Sequence, residues 1–207
     1  MNTRTLHYFS GVLIILFVGF HLINHTYSLA GAAAHIGLMN TLRLVYRHPV
    51  AEAVLLGAVA LQVVSGLLLV SRFRRQVETG FDKLQLWTGL YLAFFLLIHL
   101  SAVLVGRHIL NLDTNFYFGV AGLNSFPVNL FFVPYYGLAI AAFVGHIAAI
   151  HSRKMKHSVL GLTPHEQASI LLALGVLLTI SILYGLTNGF HGVRIPDAYK
   201  VLTKLPL

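Results

Sequence analysis

Five long apolar stretches separated by short polar clusters dominate the chain, with no Asp, Glu, Lys or Arg within 5–42, 53–71, 84–106, 114–152 or 167–193. A helix crossing the hydrocarbon core of a bilayer needs about 20 residues, and each stretch supplies them. The alternating polarity of a transmembrane barrel is absent. The pattern therefore predicts an all-α integral membrane protein, a single domain over 1–207 with spanning helices at about 7–29, 49–71, 84–106, 133–152 and 167–188.

Local signals support these limits. Pro49 opens the second helix, where its missing N–H does little harm. Thr163 with Glu166 three residues on forms a capping box before the fifth. The small residues at 30–34 resemble a signal-peptide cleavage site, but the run before them is too long for a signal core and carries His21 and His25, so it is read as a retained helix. The long connection over 107–132, rich in Asn, Gly and aromatics, is expected to cap the outer face.

Composition narrows the chemistry. Only 10% of the 207 residues are charged, against about 25% in soluble domains, which excludes a water-soluble globule. The formal charge of +8 sits at helix ends, suiting an anionic membrane surface and not nucleic acid. With the N-terminus inside, Arg4, Arg72, Arg74, Arg75, Lys83, Arg153, Lys154 and Lys156 lie inside. Arg43, Arg47, Arg107, Arg194, Lys200 and Lys204 then lie outside. This bias predicts a multi-pass protein of the cytoplasmic membrane with its C-terminus outside. The absence of cysteine excludes disulfides, thiolate zinc sites, Cys-ligated iron–sulfur clusters and covalently attached haem. Twelve histidines remain for metal chemistry.

Depth sorts the buried ones. His21 and His99 lie 14 and 15 residues into outward-running helices, roughly 21 to 23 Å from the inner edge at 1.5 Å per residue. Gln62 and His146 each lie 13 residues into inward-running helices, which defines a second, inner level. Two histidines at one depth on different helices suit the axial positions of a haem b, although intramembrane histidines also bridge helices by hydrogen bonds. His7, His48, His108, His151, His157, His165 and His191 fall near helix ends and read as interfacial or solvated. Glu52 is the one acid near a buried helix segment, close to the level of His21 and His99. It is either a poised proton acceptor or an interfacial carboxylate paired with Arg47 or His48.

Ser10-Gly11, His21-Leu22-Ile23-Asn24-His25, Ala51-Glu52, Ser65-Gly66, Leu86-Trp87-Thr88-Gly89, His99, His146 and Thr163-Pro164, in that order, resemble the single-chain, five-helix cytochrome b membrane anchor of succinate:quinone oxidoreductases and fumarate reductases. The resemblance spans nearly the whole chain. It implies a four-helix haem-binding bundle plus a fifth helix, which passes electrons between a quinone, menaquinone by this likeness, and an iron–sulfur subunit. Dicarboxylate chemistry would be left to a flavoprotein. By the same resemblance His21 and His99 match the outer haem ligands, with His25 an alternative, and His146 matches an inner ligand. Glu52 stands where an acid is linked to proton release on menaquinol oxidation. Gln62 replaces the family's second inner ligand, so one haem b is expected, with a second possible on His146 alone. Gln62 and His146 would otherwise hydrogen-bond across their helices. Readings of another class are a standalone membrane haem protein, for quinone-linked electron transfer or gas sensing, and a histidine-bridged metal or proton transporter.

Overall fold

The computed structural model describes residues 2–203, so Lys204 lies outside the described residues. Five long helices carry the expected spans: α1 (Thr3–Thr26), α3 (Pro49–Phe73), α4 (Gly80–His108), α6 (Asn129–Lys154) and α7 (Pro164–Leu186). Each is long and apolar enough to cross a membrane, and among the described residues there is no β-strand, so the chain is an all-α, multi-pass membrane protein. α1, α4 and α7 start three or four residues before their expected spans, because polar caps hold them there. Asn2 accepts from the Thr5 N–H at 2.9 Å, and capping boxes form at Thr79 with Asp82 and at Thr163 with Glu166.

Two shorter helices, α2 (Ala32–Tyr46) and α5 (Phe116–Val120), lie where the hydrophobic pattern suggests only loops. Gly31, at φ 97°, breaks the chain after a 3₁₀ turn at Tyr27–Ala30 and lets α2 leave in a new direction. His35 and Met39 form the buried stripe of α2, at 3% and 5% exposure, while Leu44 and Val45 are exposed. That amphipathic split suits a helix lying along the membrane surface. Phe116, Val120 and Leu123 pack on Ile140, Ile182 and Leu186, so the 107–132 connection does form a cap over the bundle end. Asn124 locks it there, donating to the Leu186 carbonyl at 3.0 Å and accepting from the Val193 N–H at 2.9 Å.

Neighbouring helices run α1, α3, α4, α6, α7 and back to α1. α1, α4 and α6 carry the intramembrane histidines, α3 carries Gln62 but no histidine, and α7 carries none beyond its first turn. Short turns join α3 to α4 and α6 to α7 on the face where α1 begins, here the near face; α2, α5 and the C-terminal segment lie on the far face. Close approaches need glycine at several places, two of them on α7. A Cβ on Gly175 would stand 2.7 Å from Val144 Cγ1, and one on Gly185 would meet Ser28 Oγ and the Leu29 backbone nitrogen at 2.9 Å. Since backbone cannot rotate away, Gly185→Val is expected to destabilise the protein by about 1–3 kcal/mol. Thermal unfolding in detergent checks this, and the lower midpoint should be absent for a valine at Gly19, which has open space beside it.

Candidate functional site

The intramembrane polar groups fall into two clusters, one at each level. At the near level, Ser65 on α3, Thr88 on α4 and His146 on α6 each lie eight residues from the near end of their helix, about 12 Å along the axis. His7 reaches this level from α1, with Nδ1 3.0 Å from Ser65 Oγ. His146 Nδ1 lies 3.1 Å from Thr88 Oγ1. Gln62 does not meet His146. Its amide donates to His7 Nε2 at 3.2 Å and its carbonyl accepts from Ser10 Oγ at 2.6 Å, so it binds α1 and not α6. His7 is therefore no interfacial or solvated residue but part of a network inside the bundle.

At the far level, His21 and His99 come together with ring centroids 6.2 Å apart. Phe17 stacks on His21 and Phe95 on His99, which limits the orientation of each imidazole, and Tyr136 packs edge-on against His99. His25, one turn above His21, continues the cluster, its Nε2 3.1 Å from His21 Nε2. His35 of α2 follows, with Nε2 3.3 Å from His25 Nδ1 and 3.2 Å from Asn24 Nδ2. The network then runs from His21 through His25 to His35.

An arginine-rich layer covers this level. Arg107 grips Glu52 through both guanidinium nitrogens, joining α4 to α3. Glu52 therefore pairs with Arg107, and neither Arg47 nor His48 is its partner. Arg43 meets Asp113 at 2.9 Å, and Arg47 donates to Thr114 Oγ1 at 2.9 Å. Several polar atoms beside the histidines are buried without a partner: Asn24 Oδ1, His35 Nδ1, and Nε and Nη2 of Arg43. Such orphans are rare in folded proteins.

The sequence signal for His35 and Arg43 was present but faint. With Met39 they recur every four residues between Gly31 and Pro49, a single helical stripe in a segment too short to span. No group of three or more His, Asp or Glu side chains among the described residues is arranged to hold a bare metal ion. No family model, curated protein or solved structure matches the chain.

Burial, then the charges of His21 and Arg43, hold His35 down at about 4 instead of 6.5. Between those values the unfolded chain binds the proton more readily, so stability is greatest above pH 6.5 and declines as pH falls toward 4. His35→Phe is expected to make this decline shallower when thermal unfolding is followed from pH 7.5 to 4.5.

Proposed function

We propose that this chain is a membrane haem b protein, the quinone-reactive anchor subunit of a succinate dehydrogenase or fumarate reductase type complex. The pairing of His21 with His99 carries this reading. Metal–imidazole bonds are about 2 Å long, so two imidazoles on opposite sides of one iron have ring centroids roughly 6 Å apart. The observed 6.2 Å matches that span. The orphaned Arg43 donors beside the cluster match the other end of a haem, whose propionates are anionic and need cations or N–H groups. A bis-histidine site needs two protein ligands, so the lack of a three-ligand group does not count against it.

His21 and His99 hold the iron in this reading, and His25 is their neighbour. His21 Nε2 lies 3.1 Å from His25 Nε2, so His25 would stand beside the group that His21 and His99 would hold. When bound, haem b supplies one-electron transfer, here between a quinone and an iron–sulfur partner. Phe17 and Phe95 keep the imidazole planes from rotating and exclude water from that level. Glu52 receives a proton from quinol, with Arg107 holding the carboxylate on the α3–α4 seam. Menaquinone as the quinone rests on the resemblance alone. Dicarboxylate chemistry belongs to partner subunits, because the chain offers no thiolate for an iron–sulfur cluster.

Charge supports the same orientation. The far-face arginines Arg43, Arg47 and Arg107 are engaged with Asp113 and Glu52. On the near face Arg72, Arg74, Arg75, Lys154 and Lys156 make no ion pair among the described residues. The near face, with its uncompensated positive charge, is the cytoplasmic one and the side on which dehydrogenase partners dock.

Alanine at His21 or at His99 is expected to abolish the low-spin haem signal of the far level, while His25→Ala retains it; reduced-minus-oxidised spectra with a haem-to-protein ratio check both. An unchanged spectrum for His99→Ala removes this ligand pair. Purification from native membranes should bring a flavoprotein and an iron–sulfur protein with the chain. A haem-loaded chain without them points to the standalone protein.

For the proton step, Glu52→Gln is expected to lower quinol oxidation at least tenfold with haem spectra intact. Steady-state turnover with a menaquinol analogue tests it, and full turnover across pH removes Glu52 from the mechanism.

A further inference from the structure

The far end of the bundle carries another polar site, which shares no residue with either histidine cluster. Beyond Leu186, where α7 ends, the chain turns and runs extended over 192–196 into a 3₁₀ helix, Asp197–Leu202. Asn124 ties this segment to the cap, accepting from the Val193 N–H and donating to the Leu186 carbonyl. Between the segment and Asn124-Ser125 lies a cavity of about 490 Å³, within the span of small-molecule sites, about 300–1,000 Å³. Because α6 begins at Asn129 and packs along α7, the cavity sits over the α6–α7 seam, where both spans end.

Its lining has a positive excess. Arg194 and Lys200 supply two cations, and Asp197 takes up Lys200 at 2.6 Å. Arg43, Arg47 and Arg107 on the same face all pair with acids, whereas Arg194 makes no ion pair or hydrogen bond among the described residues. The Ser125 hydroxyl on the opposite wall makes no hydrogen bond among them either. A guanidinium fork matches the oxygens of a phosphate, and a hydroxyl facing it adds a neutral donor.

Two aromatic rings adjoin the cavity. Phe126, next to Ser125, is 81% exposed, and Phe190, three residues before Val193, is 67% exposed. Phe190 holds φ 66°, a region that bulky residues rarely occupy. Burial inside the protein does not offset this strain, because the ring stands out beside Tyr184 at the end of α7. At the ends of spanning helices such rings lie among lipid head groups. A soluble anion would leave both rings bare, while an amphiphile covers them.

We propose that the cavity between Ser125 and Arg194 binds the phosphodiester head group of an anionic phospholipid in the far leaflet, with Phe126 and Phe190 against its glycerol and upper acyl chains. The site is independent of the haem reading, since it uses none of the same residues.

The test places the full-length protein in phosphatidylcholine nanodiscs containing increasing fractions of phosphatidylglycerol and follows amide hydrogen exchange over 187–203. Phosphatidylglycerol is expected to slow exchange there. One cation near an anionic head group is worth about fivefold in affinity, so Arg194→Gln should move the half-effect to about fivefold more phosphatidylglycerol. Arg74→Gln, which removes one exposed charge from the near face, should not move it. Phe190→Gly deletes a ring and relaxes the backbone, and should weaken the response. Unaltered exchange across α6 and α7 reports an intact bundle. Equal shifts for the two arginine variants would overturn the site in favour of diffuse surface charge. Exchange no slower with phosphatidylglycerol than with phosphatidylcholine alone would also overturn it. If glycerol 3-phosphate added to neutral nanodiscs slows exchange as strongly, the cavity takes a soluble anion and the lipid is overturned.

Discussion

Every polar side chain inside the apolar bundle must find its partner within the protein, because hydrocarbon offers none. This constraint organises the near level. Ser10, Gln62, His7 and Ser65 satisfy one another across α1 and α3, and Thr88 with His146 does the same across α4 and α6. The Ser65 and Thr88 hydroxyls first bind their own helix backbone, which turns each oxygen into an oriented acceptor, while Ser10 donates to Gln62. Imidazole tautomers follow from that choice, so the electronic character of two buried nitrogens is decided by hydroxyl groups on neighbouring helices.

The far level obeys the same constraint less completely. Its histidines come from α1, α2 and α4, and the ring-to-ring network ends at His35, whose Nδ1 has no partner. Arg43, two turns further along α2, has donors to spare. Among the described residues four of the six buried polar side-chain atoms without a hydrogen bond gather in this region, against one, Gln85 Oε1, on the near half of α4. The difference explains why α2 matters although it spans nothing: it lays a histidine and an arginine over the mouth of the bundle, and its ion pair to Asp113 ties it to the cap.

Charge is divided by the same geometry. On the far face, Asp113 in the cap and Glu52 on α3 pair with Arg43, Arg47 and Arg107, making a polar layer tied together by ion pairs. Near-face turns are too short to fold back over their basic residues, which stay exposed. A bundle with most cations paired at one end and most unpaired at the other is asymmetric along its axis.

The five spans, their alternation and the near-face turns were legible along the chain, because a run of some 20 apolar residues has few alternatives to a membrane helix. Depth counting also brought His21 and His99 to one level, since rise per residue converts position into height. Height, however, says nothing about azimuth. Which way Gln62 faces around α3 depends on α3 packing against α1, and that contact turned it to His7 and Ser10 instead of His146. His7 was read as interfacial because it lies one turn into α1, yet α1 starts deep enough for its ring to reach Ser65. The partners of Glu52, the stripe of α2 and the hydroxyl–imidazole pairs at the near level likewise arise only when separate helices meet. Sequence determined how many helices cross and at what height each polar group sits, a one-dimensional matter of length and hydropathy; the tertiary structure alone decided which groups face each other, because helix rotation is set by side-chain packing between segments far apart in the chain.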